Sequence, residues 1–164
     1  MAELIKQLEE LFVSYLKLNT RRFSVFTLSD WKNYHFSYPD SSLIGESEDG
    51  IGIYGVKVGC GQKVISLIAG CHADEPVGPL HLNILLKFLE DFKDDSLIVE
   101  FLNAYQLWIV PDLNPDGALV NDKWWRKDYL VDSNLSSYLK NRKRELPGRD
   151  VEFGFPEMRP ENKA

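Results

Sequence analysis

His72 and Glu75 stand three residues apart in the segment Gly70-Cys71-His72-Ala73-Asp74-Glu75-Pro76, directly after an apolar, β-rich run. A neutral imidazole with a carboxylate is a ligand set that suits zinc, so the chemistry this pair could serve is metal binding. Spacing alone also fits a plainer pattern, a surface histidine followed by a glutamate favoured at the start of a helix. Position adds weight to the metal reading, because the pair lies in a Gly-flanked loop beside Pro76, which breaks regular pairing. Cys71 adjoins His72, but neighbours on an extended backbone point to opposite faces, so it is expected to pack rather than bind metal.

A second polar loop, Pro111-Asp112-Leu113-Asn114-Pro115-Asp116-Gly117, follows another apolar run. Its Asn, Pro, Asp and Gly residues favour tight turns and read as scaffold more than chemistry. The elements between the two loops explain why they belong together. Ile51 to Val58 and Lys63 to Ala69 are β-rich runs separated by Gly59-Cys60-Gly61, a pattern that predicts a hairpin. Val64 to Ala69 is nearly continuous apolar sequence, as expected of a central strand covered on both faces. Leu80 to Phe92 predicts a helix that is apolar almost all round, and Leu107 to Val110 a second buried strand. Strand, helix, strand is a crossover unit whose parallel strands end on one edge, where sites in open α/β sheets lie.

Elsewhere the pattern carries less chemistry. Leu4, Ile5, Leu8, Leu11, Phe12, Tyr15 and Leu16 predict an amphipathic helix over residues 3–17. Short strands are expected at 23–27 and 34–38, and a helix at 133–144. Trp108, Trp124 and Trp125 are expected in the core or a pocket wall. The fold class that results is α/β, a mixed and largely parallel β-sheet flanked by helices, in a single domain over residues 1–164.

Composition excludes several classes. A length of 164 residues with 44% hydrophobic and 27% charged residues is that of one ordinary globular domain. The net charge of −6 has the wrong sign for phosphate neutralisation, so no nucleic-acid partner is expected. Two cysteines are too few for a disulfide framework. Glu3, Glu9 and Glu10 stand where a secretory signal would be basic and apolar, and no apolar run approaches the roughly 20 residues that cross a bilayer. A cytoplasmic protein without a membrane partner is the expectation; the oligomeric state is left open.

These residues resemble the zinc metallocarboxypeptidases related to carboxypeptidase A. That family's site begins with His-x-x-Glu after a central strand, matched by His72 and Glu75. It continues with Pro-x-x-Asn-Pro-Asp-Gly, matched by Pro111 to Gly117, and then Trp-Arg-Lys, matched by Trp125-Arg126-Lys127. The resemblance covers roughly residues 50–160 and implies a carboxypeptidase A-like fold with zinc as cofactor. It implies that His72 and Glu75 are the first two zinc ligands and that Arg126 stabilises an oxyanion formed at a peptide carbonyl. By residue type alone Arg126 would be a surface side chain. Asp150, in Gly148-Arg149-Asp150, matches an aspartate that accepts a hydrogen bond from the first zinc histidine, although a solvated loop aspartate fits it as well.

Two departures from the family bear on function. Where the family has Asn-Arg after the aspartate, this chain has Glu152-Phe153, which cannot clamp a substrate carboxylate. Glu152 would favour a cationic or amino-bearing group, and Arg149 or Arg159 is left to bind a carboxylate. The family's third zinc ligand, a histidine, comes roughly a hundred or more residues after the glutamate, and its general-base glutamate later still. The chain is therefore expected to be the amino-terminal portion of a longer catalytic domain. Three functions follow: hydrolysis of a peptide or amide bond by zinc-activated water, deacylation of an acylated amino acid as in aspartoacylase-like relatives, or a non-catalytic binding module.

Overall fold

The computed structural model describes residues 2–23, 38–75, 77–128, 140 and 160–163. Helix α1 spans Ala2–Phe23, strands β1, β2 and β3 span Ser41–Glu46, Gly52–Val58 and Lys63–Ile68, and helices α2 and α3 span Val77–Asp91 and Ser96–Ala104. Strand β4 (Tyr105–Val110), helix α4 (Pro115–Asp128) and a short helical turn, α5 (Pro160–Lys163), complete the order. The strands form one mixed sheet in the order β1-β2-β4-β3. β1 pairs antiparallel with β2, β2 antiparallel with β4, and β4 parallel with β3.

The parallel crossover is present, with two helices rather than one. Asp95 caps the second of them, its carboxylate accepting a hydrogen bond from the Leu97 backbone N–H. The expected β2–β3 hairpin is not formed, because β4 is inserted between those strands. The hairpin is instead β1–β2, turned through Ser47–Ile51. Gly59-Cys60-Gly61 serves as a bridge across the start of β4. The Cys60 and Gly61 N–H groups both donate to the Leu102 carbonyl, and a Cβ on Gly61 would lie 2.1 Å from the Ala104 carbonyl carbon.

The expectation that β3 is central is likewise corrected. Among the described residues β3 is an edge strand, and Val64 and Ile68 are 55% and 58% exposed. An apolar run marks a strand without fixing its place in the sheet, and here the crossover returns the chain on the inner side of β3. Trp108, expected in the core or a pocket wall, is 52% exposed on the same sheet face and so is not in the core. Strand alternation explains this: Leu107 and Ile109 turn inward, so Trp108 between them turns outward.

The core lies on the opposite sheet face. Val56, Val58, Leu107 and Ile109 pack there with Ile84, Leu86, Phe88 and Leu89 of α2, Ile98 of α3 and Tyr15 of α1. α1 docks through the Tyr15 ring, edge-on to Phe88 at 5.3 Å, and through its hydroxyl, which donates to Asp91 at 2.8 Å. α1 runs on to Phe23, past the expected end at 17, so Phe23 is helical and Tyr38 lies in a bend. The remaining positions of the two short strands expected at 23–27 and 34–38 lie outside the described residues, as does the helix expected at 133–144 apart from Lys140. No helix among the described residues is long and apolar enough to cross a membrane.

Candidate functional site

Parallel pairing puts Ile68 opposite Val110, so the loops after β3 and β4 leave the same sheet edge. Two backbone hydrogen bonds hold them together there: Ala69 N–H to the Val110 carbonyl (3.0 Å) and Leu113 N–H to the Ala69 carbonyl (2.9 Å). Gly70, at φ +77°, makes the close approach possible, since a Cβ on it would stand 2.5 Å from an Asp112 carboxylate oxygen.

Beyond Gly70 the first loop folds back on itself. The Glu75 N–H donates to the His72 carbonyl at 3.1 Å, a turn that carries the glutamate side chain over the histidine. His72 Nδ1 and a Glu75 carboxylate oxygen are 3.1 Å apart. Between them Ala73 and Asp74 are buried, whereas the His72 and Glu75 side chains are 32% and 52% exposed. The loop is thus rooted by its middle and offers its two donors outward, side by side.

The chemistry and spacing of that pair suit a metal. Two donors bound to one tetrahedral zinc at about 2.1 Å would stand roughly 3.4 Å apart, close to the 3.1 Å seen here. An imidazole nitrogen and a carboxylate oxygen are ordinary zinc donors. Among the described residues no group of three or more His, Cys, Asp and Glu side chains gathers at one point. His72 and Glu75 are thus a two-donor pair whose residue types and spacing fit zinc.

The second loop is a brace. Asn114 caps α4, its side-chain oxygen accepting from the Gly117 N–H at 3.0 Å, and Pro115 takes the first helical position, where its missing N–H costs nothing. Asp112 in turn accepts from the Asn114 N–H at 3.2 Å. Gly117 leaves room for the neighbouring loop: a Cβ on it would lie 2.3 Å from the Ala73 methyl. Asp116 is 2% exposed and accepts from the Ser47 hydroxyl at 2.6 Å and the Asp49 N–H at 3.0 Å. Sequence reading assigned Asp116 to a turn and missed this link, whose partners lie 69 and 67 positions away in the chain.

The other sequence candidates are distributed unevenly. Arg126 falls on α4, the helix that begins in the brace. Asp150, Glu152 and Arg159 lie outside the described residues, as does Arg149. His81 is exposed on α2, Cys71 is half-buried and Cys60 exposed.

A mixed sheet whose parallel strand β3 ends in a loop carrying a histidine and a glutamate, braced by the loop after the adjacent β4, is an α/β protein with its candidate site at the carboxyl ends of the strands. The sequence profile described as zinc carboxypeptidase matches residues 27–158, and the chain belongs to that family. It is 30% identical over 104 residues to carboxypeptidase D of Rattus norvegicus, covering 63% of this chain and 7% of that protein. It is 32% identical over 97 residues to carboxypeptidase E of Caenorhabditis elegans, covering 54% of this chain and 20% of that one. Among solved structures it is similar to a candidate carboxypeptidase A from Shewanella denitrificans OS-217, with a TM-score of 0.51 and 26% identity over 57% of this chain and 27% of the other. The chain thus spans well under half the length of these relatives.

Proposed function

We propose that this chain contributes the first two metal ligands of a zinc-dependent, metallocarboxypeptidase-like hydrolase that cleaves a peptide or amide bond. The observation that carries this reading is the convergence of His72 Nδ1 and the Glu75 carboxylate, 3.1 Å apart, at the edge where two parallel strands end. His72 and Glu75 would hold the ion, which when bound supplies an activated water and an electrophile for the substrate carbonyl. The role of Arg126 in this reading would be to meet the negative charge that develops on the carbonyl oxygen, stabilising the transition state more than the ground state. Asp150, by the family match, would accept the second ring N–H of His72 and fix the ring's orientation. The chain forms the amino-terminal portion of the catalytic domain, and the further ligand and the general base come from outside its described residues.

Substrate selection follows from Glu152 and Phe153 in the place of an Asn-Arg clamp. An acid and an aromatic cannot hold a carboxylate in a bidentate pair, so the substrate carries an end other than a standard free carboxylate, with Glu152 facing a cationic or amino group. The same two residues favour the second reading, deacylation of an acylated amino acid. The test is hydrolysis by the full-length protein of matched peptides with free and amidated ends, beside an N-acyl amino acid. Zinc-dependent cleavage that tolerates the amide is expected. Strict dependence on the free carboxylate, retained in Arg159→Ala, would contradict the substrate assignment, and release of the acyl group alone would select the deacylase.

A further inference from the structure

The buried carboxylate of Asp116 sits where the pieces that position His72 and Glu75 meet. Ser47 and Asp49 belong to the β1–β2 turn, and both donate to Asp116. Ser47 also organises that turn: its hydroxyl accepts from the Ile51 N–H at 2.9 Å, and its own N–H donates to the Ile51 carbonyl at 2.8 Å. On the other side, Asp116 lies in the first turn of α4, next to Gly117, the glycine on which Ala73 is seated. Ala73 is the residue between His72 and Asp74, and it is buried.

From this arrangement we infer that Asp116 is a positioning residue for the His72–Glu75 pair, acting through the first turn of α4 and the Gly117–Ala73 contact. The inference rests on the reading of that pair as metal ligands. Its physical basis is that a carboxylate is a two-oxygen acceptor, and here each oxygen takes one donor from the turn. A neutral amide of the same shape keeps one acceptor for the Asp49 N–H but turns its NH2 toward Ser47 Oγ, so the hydroxyl must accept there and its own hydrogen loses its buried acceptor. The carboxylate also lies at the positive end of α4, where negative charge is favoured. Losing it would let the first turn of α4 shift, and with it the surface on which Ala73 rests. The half-exposed His72 and exposed Glu75, on a loop whose buried Ala73 is seated on Gly117, would then lose their common aim.

The test uses the full-length protein with Asp116→Asn and Ser47→Ala, read by zinc affinity and by the visible ligand-field spectrum of the cobalt-substituted protein. Both are measured well below each variant's unfolding temperature. Asp116→Asn is expected to weaken zinc binding roughly 10- to 100-fold, as for other groups that orient ligands without touching the metal, and to alter the cobalt bands. Ser47→Ala, which removes one of the two bonds, is expected to change both in the same direction by less. A purely stabilising role would lower the unfolding temperature while leaving affinity within twofold and the cobalt spectrum unchanged, and that result overturns the inference. Should Asp116→Asn not fold, Ser47→Ala decides by the same criterion. His72→Ala in the same assay separates the two levels. Unchanged zinc binding there refutes the metal reading itself, whereas loss in His72→Ala with none in Asp116→Asn or Ser47→Ala refutes only the role of Asp116.

Discussion

Replacing His72 with alanine is expected to lower the zinc affinity of the full-length protein by more than about 100-fold, the upper end of what groups that merely orient ligands cost. The reason is directness: His72 Nδ1 is one of the two proposed ligand atoms, 3.1 Å from the other, and among the described residues no group of three or more His, Cys, Asp and Glu side chains could hold the ion instead. Glu75→Gln keeps an oxygen donor at the same place but removes its charge, so a smaller loss is expected, with zinc still detectable. His81→Ala is the control, since His81 is exposed on α2 and outside the pair. Metal content after dialysis and competition with a chelator of known affinity measure all three. Equal zinc in the His72→Ala and unsubstituted proteins would remove His72 from the site.

Gly61→Ala is expected to destabilise the fold by on the order of 3 kcal/mol or more, at the top of the range for overpacking. The added Cβ would meet the Ala104 carbonyl carbon at 2.1 Å, the Tyr105 nitrogen at 2.2 Å and the Ala104 oxygen at 2.3 Å, all of them backbone atoms that cannot swing aside. These atoms mark the start of β4, so relief would require β4 to move between β2 and β3. Gly50→Ala is the comparison. Gly50 also needs glycine's freedom, at φ +76°, but nothing stands within 4 Å of its Cβ position. Its cost is limited to the left-handed backbone, roughly 1–2 kcal/mol. Urea titrations of both variants measure the difference. Equal costs would mean that the bridge over β4 is looser than its contacts imply.

The reach of the sequence differs from element to element for physical reasons. The pairing of the two loops was legible because a crossover between parallel strands leaves both carboxyl ends on one edge, whatever lies between. The insertion of β4 between β2 and β3 was not, since two β-rich runs joined by a Gly-rich link read the same whether they pair or flank a third strand. α3 escaped because Leu97, Ile98 and Val99 form a short apolar run that suits either state, and only the Asp95 cap marks a helix start. The outward turn of Trp108 was available from alternation with Leu107 and Ile109, but its aromatic bulk argued for burial instead. The His72–Glu75 spacing pointed to chemistry, whereas the role of Asp116 depended on Ser47 and Asp49, far away in the chain.

The hairpin, the capped helix and the glycine contacts converge on one loop, and the functional reading depends on that loop holding an ion. Anomalous diffraction at the zinc edge from crystals of the full-length protein with zinc tests this most directly. The expected result is a single strong peak about 2.0–2.1 Å from His72 Nδ1 and about 2.0–2.2 Å from a Glu75 oxygen. A zinc peak elsewhere, with His72 and Glu75 still hydrogen-bonded to each other, would contradict it.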